Sequence, residues 1–265
     1  MKLAIGSLAS GSGGNSYLIK SESTSLLVDA GISAKQITER LKGYGCGLPD
    51  AILVTHEHSD HIQGLPVLLK KGISLYVNEG TKSAMSFLPE TCDVRVFNTG
   101  DSFEIGDISV SSFPLSHDAA EPSGFSFSRE GACVSIITDT GYVTPSCFRY
   151  MQSADVLVLE SNHDESILRV GRYPWFLKQR ILSDKGHLSN EAAAKALAEV
   201  LLRDELCGKE KKRLVLLAHL SKENNFPQMA LATMSNVLEN KGFVVGKSVM
   251  IDTLSRTESS PLYML

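Results

Sequence analysis

Within the stretch Thr55-His56-Glu57-His58-Ser59-Asp60-His61, four side chains of metal-binding type (His56, His58, Asp60 and His61) fall inside six residues, directly after the apolar run Ala51 to Val54. A short apolar run of that kind reads as a strand. The cluster therefore stands where a strand gives way to a loop, the place where a rigid scaffold carries active-site groups. Residues i and i+2 on an extended segment point the same way, so His56 and His58 can grip one metal. Asp60 and His61, beyond a turn, can face a second metal beside it; imidazole and carboxylate suit borderline and hard divalent ions. Three of the chain's seven histidines sit here, too many for a polar turn that is histidine-rich by chance.

Composition narrows the class of protein. With 265 residues the chain can bury a large core, as one big domain or two small ones. A formal charge of −4 argues against coating nucleic acid by global attraction, so any such contact needs a local basic patch. The five cysteines (Cys46, Cys92, Cys133, Cys147, Cys207) are scattered and form no CxxC pair, which suits reduced thiols in a cytoplasmic protein. The N-terminal MKLAIGSLASGSGG carries an apolar run of only about seven residues and reads as a strand and a Gly/Ser loop rather than a signal peptide. No run approaches the roughly 20 apolar residues that cross a membrane.

Taken in order, Leu3 to Leu8 and Ser16 to Lys20 read as paired strands around a Gly/Ser loop. That loop, with Ser12 and Asn15, can present backbone N–H groups to an anion, and a plain hairpin loop is an equal alternative. Ser25 to Val28 is a strand ending at Asp29, a carboxylate placed either to support the metal loop or to cap a turn. Ser33 caps a helix running to Leu41, Leu65 to Lys71 is a second helix, and Glu79 to Leu88 a third, stopped by Pro89. An antiparallel meander follows, from Val94 to Arg129. Between its last two strands His117 occupies the position that a ligand from a neighbouring strand requires. The apolar strand Gly131 to Thr138 ends at Asp139, a carboxylate able to bridge two metals. Ala154 to Leu159 ends at Glu160.

The segment Arg169 to Arg180 then interleaves cations with aromatics. Arg172, Trp175 and Lys178 are its candidates for a phosphate backbone and a stacked base; a basic surface arm or a homodimer contact is the open alternative. Gly186-His187-Leu188 leads to Ser189, the cap of a helix whose apolar face runs from Ala192 to Leu202. Arg213 to Ala218 is a strand meeting His219, Gln228 to Asn240 a helix, and Val244 to Ile251 the last strand. With no repeat or linker, the chain reads as one domain (1–265) made of two βα-rich halves that meet near residue 135. Ligand-type residues recur at successive strand ends, the way a site is assembled on a layered α/β scaffold.

HEHSDH resembles the HxHxDH signature of the metallo-β-lactamase-fold hydrolases. The wider set GSGGN, THEHSDH, FPLSHDAAEPSGF, LESNHD, RYPW, KGHLSN and LAHLSKENN, spanning residues 10 to 225, is similar to the small bacterial YycJ/WalJ-like family of that superfamily. The resemblance implies a four-layer αββα sandwich of the α+β class. It also implies two divalent metal ions, zinc or manganese with iron as a further option. His56, His58 and His117 would hold the first, and Asp60, His61 and His219 the second. Asp139 would bridge them where the true lactamases carry a cysteine, a departure pointing to the phosphodiesterase branch. Asp29 would brace the metal loop, and Asp60 would orient the attacking water. Glu160 with His187 resembles the ribonuclease Z-type pairing, in which a glutamate holds a proton-donating histidine.

The reading that follows is a dinuclear metal-dependent phosphodiesterase acting on nucleic acid, specifically a DNA 5′-to-3′ exonuclease, cytoplasmic, without membrane contact. A small-molecule metallohydrolase acting on a cyclic phosphodiester, lactone or thioester is the first alternative. A metal-binding regulatory module is the second. The Glu160/His187 pair favours phosphodiesters, because a thiolate leaving group needs little help from an acid.

Overall fold

The computed structural model describes residues 2–89, 91–208 and 211–265. The chain separates into two compact units, one taking in the chain up to Pro114 with Ala119–Ala132 and Ser255–Leu265, the other Leu115–Asp118 and Cys133–Leu254.

The first unit carries a seven-stranded mixed sheet in the order β14-β1-β2-β3-β4-β5-β6. Its antiparallel part is β1 (Ala4–Ala9), β2 (Ser16–Lys20) and β3 (Ser25–Val28), with β14 (Tyr263–Met264) antiparallel on β1. Its parallel part continues through β4 (Ala51–Leu53), β5 (Ser74–Asn78) and β6 (Val94–Phe97). Helices α1 (Ala34–Gly43) and α3 (Leu65–Leu69) bury Ile37, Leu41, Leu65 and Leu68 in a cluster with Leu18, Leu27, Ile52, Val54 and Leu75. Each such side chain removed from water contributes about 1.5–3 kcal/mol, and this core holds the ends of β3 and β4 fixed.

Helix α1 starts as its sequence predicts. Ser33 Oγ accepts from Gln36 N–H at 3.3 Å while Gln36 Oε1 accepts from Ser33 N–H at 3.3 Å, a complete capping box. The short α4 (Glu79–Ala84) stops before the expected Leu88, because Met85 turns extended and sinks its side chain into the core. The antiparallel meander β7 (Ser102–Ile105), β8 (Ile108–Pro114) and β9 (Ser123–Arg129) also belongs to this unit.

The second unit is built on four parallel strands, β10 (Ala132–Ile137), β11 (Val156–Glu160), β12 (Leu214–Ala218) and β13 (Met250–Thr253). Parallel strands covered on both faces read as unbroken apolar runs, as Val156, Leu157, Val158 and Leu159 do before the buried Glu160. The 17-residue α8 (Asn190–Leu206) is capped by Ser189 Oγ, which accepts from Ala192 N–H at 3.2 Å. Helix α9 covers Pro227–Glu239. Helix α5 (Pro145–Ser153) was not expected from the sequence; Thr144 caps it and only Cys147 and Met151 point inward. The last strand is shorter than the apolar run suggests. Gly246 adopts φ 88°, and Lys247 and Ser248 both donate back to Val244 O, so 244–248 turns and β13 begins only at Met250. Among the described residues no helix is long and apolar enough to cross a membrane.

Candidate metal centre

In the first unit β4 feeds straight into the histidine-rich loop, and Asp29, one residue beyond β3, clamps it. Thr55 N–H and Oγ1 donate to the two oxygens of Asp29, each at 2.8 Å, and His61 Nδ1 lies 2.7 Å from Asp29 Oδ2. The carboxylate thus fixes the His61 ring and leaves Nε2 directed onward, 3.6 Å from Asp60 Oδ2. His56 Nδ1 lies 3.0 Å from Thr55 Oγ1; since that hydroxyl proton goes to Asp29, the ring nitrogen is the donor. The His56 ring stands 4.6 Å from that of His58 and 4.1 Å from that of His61. His58 is the backbone N-cap of α2 (Ser59–Ile62). Burial pushes the Asp29 carboxyl up from its usual range, against the pull of His61 and Thr55. A cation on His61 would favour the ionised form.

The Gly/Ser loop supports this cluster from below. Asn15 N–H donates to Asp60 O at 2.8 Å, Gly31 N–H to Asn15 O at 2.8 Å, and Ala30 N–H to His61 O at 2.7 Å. A Cβ on Gly31 would stand 1.7 Å from Asp60 O, so only glycine admits this approach. Asn15 is fully buried and its Nδ2 lies 3.1 Å from His61 Nε2, which makes it a brace for the ligand loop rather than a surface anion contact. Ser12 is exposed and lines an open cleft of about 520 Å³ with Gly13, Glu57, Ser59, Asp60 and Phe87.

The second unit presents its own set. His117 Nδ1 donates to Gly186 O at 3.0 Å, leaving Nε2 directed away, 3.9 Å from Asp139 Oδ1. Burial pushes the His117 imidazole below its usual range despite the Asp139 carboxylate, favouring the neutral form that binds metal. Asp139 Oδ1 also lies 3.1 Å from His219 Nδ1. Glu160 organises the rest. Its Oε1 accepts from His187 Nδ1 at 2.8 Å and His219 Nδ1 at 2.9 Å, and its Oε2 accepts the N–H groups of Thr140 at 2.8 Å and Leu188 at 3.3 Å. Burial pushes this carboxyl up, but the charge and hydrogen bonds of His187 and the hydrogen bond of His219 outweigh it and hold it at about 2. Asp139, Glu160, His187 and His219 each bring a ligand atom within 4.8 Å of the others. Each Glu160 oxygen already accepts two hydrogen bonds, which suits the carboxylate to orienting the two histidines.

Two patterns recur across these clusters. His56, His61, His117 and His219 each have Nδ1 anchored by an oxygen, the arrangement that fixes tautomer and ring for metal ligation through Nε2. Asp29, Asp139 and His219 stand just past strand ends with φ of 61°, 60° and 55°. Left-handed backbone at a residue other than glycine costs on the order of 1–3 kcal/mol and gathers at functional sites. The donor set of imidazoles and carboxylates therefore fits divalent metal.

Residues around the clusters that the sequence did not single out are Thr55, Thr140 and a buried amide network. In that network Asn162 Nδ2 holds His219 O at 2.9 Å, and Asn225 Nδ2 ties Ser161 O, Asn162 O and Asn190 Oδ1. The signal lay in the asparagines of LESNHD, HLSN and KENN. His163 is buried, burial lowers it to about 4, and neither ring nitrogen has a hydrogen-bond partner among the described residues. Of the basic-segment candidates, Arg172 and Trp175 face solvent. Lys178 does not: it is buried and its Nζ donates to Arg169 O at 2.7 Å, so its ammonium ties two helices together instead of waiting for phosphate.

Comparison with known proteins places the chain. The family described as "Beta-lactamase superfamily domain" matches residues 24–208. Exodeoxyribonuclease YycJ of Bacillus anthracis is 44% identical over 257 residues, 95% of either chain. Exodeoxyribonuclease WalJ of Streptococcus pneumoniae is 43% identical over 263 residues, 96% of this chain and 95% of that one. In structure, the metallo-β-lactamase fold protein YhfI from Bacillus subtilis superposes with a TM-score of 0.71 over 98% of this chain and 99% of that one, at 17% identity; at that identity the likeness speaks for the fold alone. The chain belongs to the β-lactamase superfamily, has the metallo-β-lactamase fold, and falls with the YycJ and WalJ proteins within it.

Proposed function

We propose that this chain is a metal-dependent exodeoxyribonuclease that degrades DNA from a 5′ end, using two divalent ions, zinc or manganese. Their ligands would be His56, His58, Asp60 and His61 of the first unit and His117, Asp139 and His219 of the second. When bound, such ions supply charge neutralisation at the phosphate and a lowered pKa for a bound water. Asp60 accepts a hydrogen bond from the attacking water and aims it at phosphorus. As the phosphorus–oxygen bond breaks, His187 Nε2 gives its proton to the departing alkoxide, while Glu160 keeps the opposite ring nitrogen engaged. The near-full-length similarity to two proteins named as exodeoxyribonucleases supports the substrate class. The five free thiols suit a reducing cytoplasm.

The observation that carries this reading is the 2.8 Å contact between Glu160 Oε1 and His187 Nδ1. It supplies an oriented proton donor, which an alkoxide leaving group needs and a thiolate does not. The test is digestion of a 5′-labelled DNA duplex with added Mn²⁺, beside an Asp60→Ala control. Metal-dependent release of label by the wild type alone supports the reading. No release, together with hydrolysis of a small chromogenic phosphodiester, moves the substrate to a small molecule.

A further inference from the structure

In the second unit, α6 (Glu165–Val170) and α7 (Trp175–Ile181) form an arm that exposes what a soluble surface normally hides. Val170 is 86% exposed, Trp175 63% and Phe176 73%. Single exposed apolar residues need no explanation, but three within seven positions, two of them adjacent aromatic rings, make a patch. The rings are not on a loose tail. Ile181 and Lys178 bury the inner side of α7, Lys178 Nζ pins it to Arg169 O, and Pro174 at the helix entry fixes the backbone at φ −58°.

Charge around the rings indicates what would cover them. Arg169 is paired with Glu165, and Arg180 grips Asp118 with two nitrogens. Arg172, three residues before Trp175, and Lys185, in the loop after α7, are exposed and have no ion-pair partner among the described residues. Two uncommitted cations on the segment that carries the exposed rings match a polyanion whose bases present flat π faces.

The arm is also wired to the groups that act on substrate. His187 N–H donates to Ile181 O at 3.0 Å, Gly186 O receives His117 Nδ1 at 3.0 Å, and Asp118 N–H donates to Lys185 O at 3.1 Å. The segment that begins with the rings therefore leads, through Lys185 and Gly186, directly to the proposed proton donor.

We infer that Trp175 and Phe176 form a stacking platform for unpaired bases of a nucleic-acid strand, with Arg172 and Lys185 taking its phosphates. The inference rests on the nuclease reading and sharpens it: the preferred substrate is a single-stranded or frayed end rather than closed duplex. Trp175 is the only tryptophan in the chain, so intrinsic emission reads this one ring. The experiment titrates zinc-loaded wild-type protein with a labelled oligothymidylate whose phosphorothioate linkages resist hydrolysis, following tryptophan emission and label anisotropy together. The expected result is saturable quenching, weaker with a blunt duplex of the same backbone. Phe176→Ala should bind about tenfold more weakly, and Arg172→Ala should lower the salt slope of binding by about 1.

Binding with unchanged emission, while 5′-labelled DNA is still cleaved, overturns the platform and leaves the nuclease standing. Emission that shifts with protein concentration alone assigns the rings to a second copy of the chain and overturns the platform too. Neither binding nor cleavage of DNA overturns both readings.

Discussion

Glu160 holds His187 by a 2.8 Å bond from its Oε1 to the ring Nδ1, and the same oxygen receives His219 Nδ1 at 2.9 Å. One buried carboxylate therefore sets the orientation of the proposed proton donor and of a metal-ligand candidate at once. Because its other oxygen is saturated by the N–H groups of Thr140 and Leu188, the group cannot be replaced by its amide without turning an acceptor into a donor. Glu160→Gln should lower kcat on DNA by about 10²–10⁴-fold. It should also cost about 1–3 kcal/mol in stability for a donor left unmatched. Steady-state cleavage and urea unfolding measure the two effects separately.

In the proposed mechanism Asp29 acts through His61 rather than on substrate. Asp29→Ala frees the ring that the carboxylate fixes at 2.7 Å, and loss of such a supporting bond typically weakens metal binding by about 10–100-fold. Competition against a fluorescent zinc chelator is the measurement. Unchanged zinc affinity would show that His61 is not oriented by this contact.

The buried His163 predicts a pH dependence. Its folded pKa, about 4, lies below the ordinary 6.5, because burial disfavours the charged ring. As pH falls from 6.5 the unfolded chain takes up the proton first. Stability from keeping this ring neutral is full above that pH, and up to about 3 kcal/mol of it is gone near pH 4. His163→Gln removes the titration, so unfolding free energies measured between those limits should fall less steeply in the variant.

Two glycines should answer oppositely to alanine. Gly31→Ala drives a Cβ against Asp60 O, 1.7 Å away, and should cost about 2–4 kcal/mol with displacement of the ligand loop. Gly43, at the end of α1 with nothing within 4 Å of a new Cβ, should gain about 0.5–1 kcal/mol on the same change. Thermal melts of the two variants decide it.

Much of this was legible in the sequence because it depends on local chemistry. Ser33 and Ser189 announce their helices through side chains that satisfy the first N–H groups. The strand-end positions of Asp29, Asp139, Glu160 and His219 follow from apolar runs that stop at a polar residue. What stayed hidden depends on partners distant in the chain. Helix α5 buries only Cys147 and Met151, too little periodicity to stand out. The two-residue β14 exists because β1 offers it an edge. Lys178 reads as a surface cation until the Arg169 carbonyl is placed beside it. Asn162, Asn190 and Asn225 look like turn residues until they are seen to clasp one another and the His219 carbonyl.

The most direct test is the requirement for His187 as an acid. Wild type and His187→Ala would be compared on DNA carrying an ordinary phosphodiester and on DNA in which sulfur replaces the bridging oxygen of the leaving group. The account predicts that His187→Ala slows cleavage of the ordinary linkage by about 10²–10⁴-fold and largely recovers on the sulfur linkage, whose thiolate departs without a proton. An equal loss on both linkages would contradict proton donation by His187.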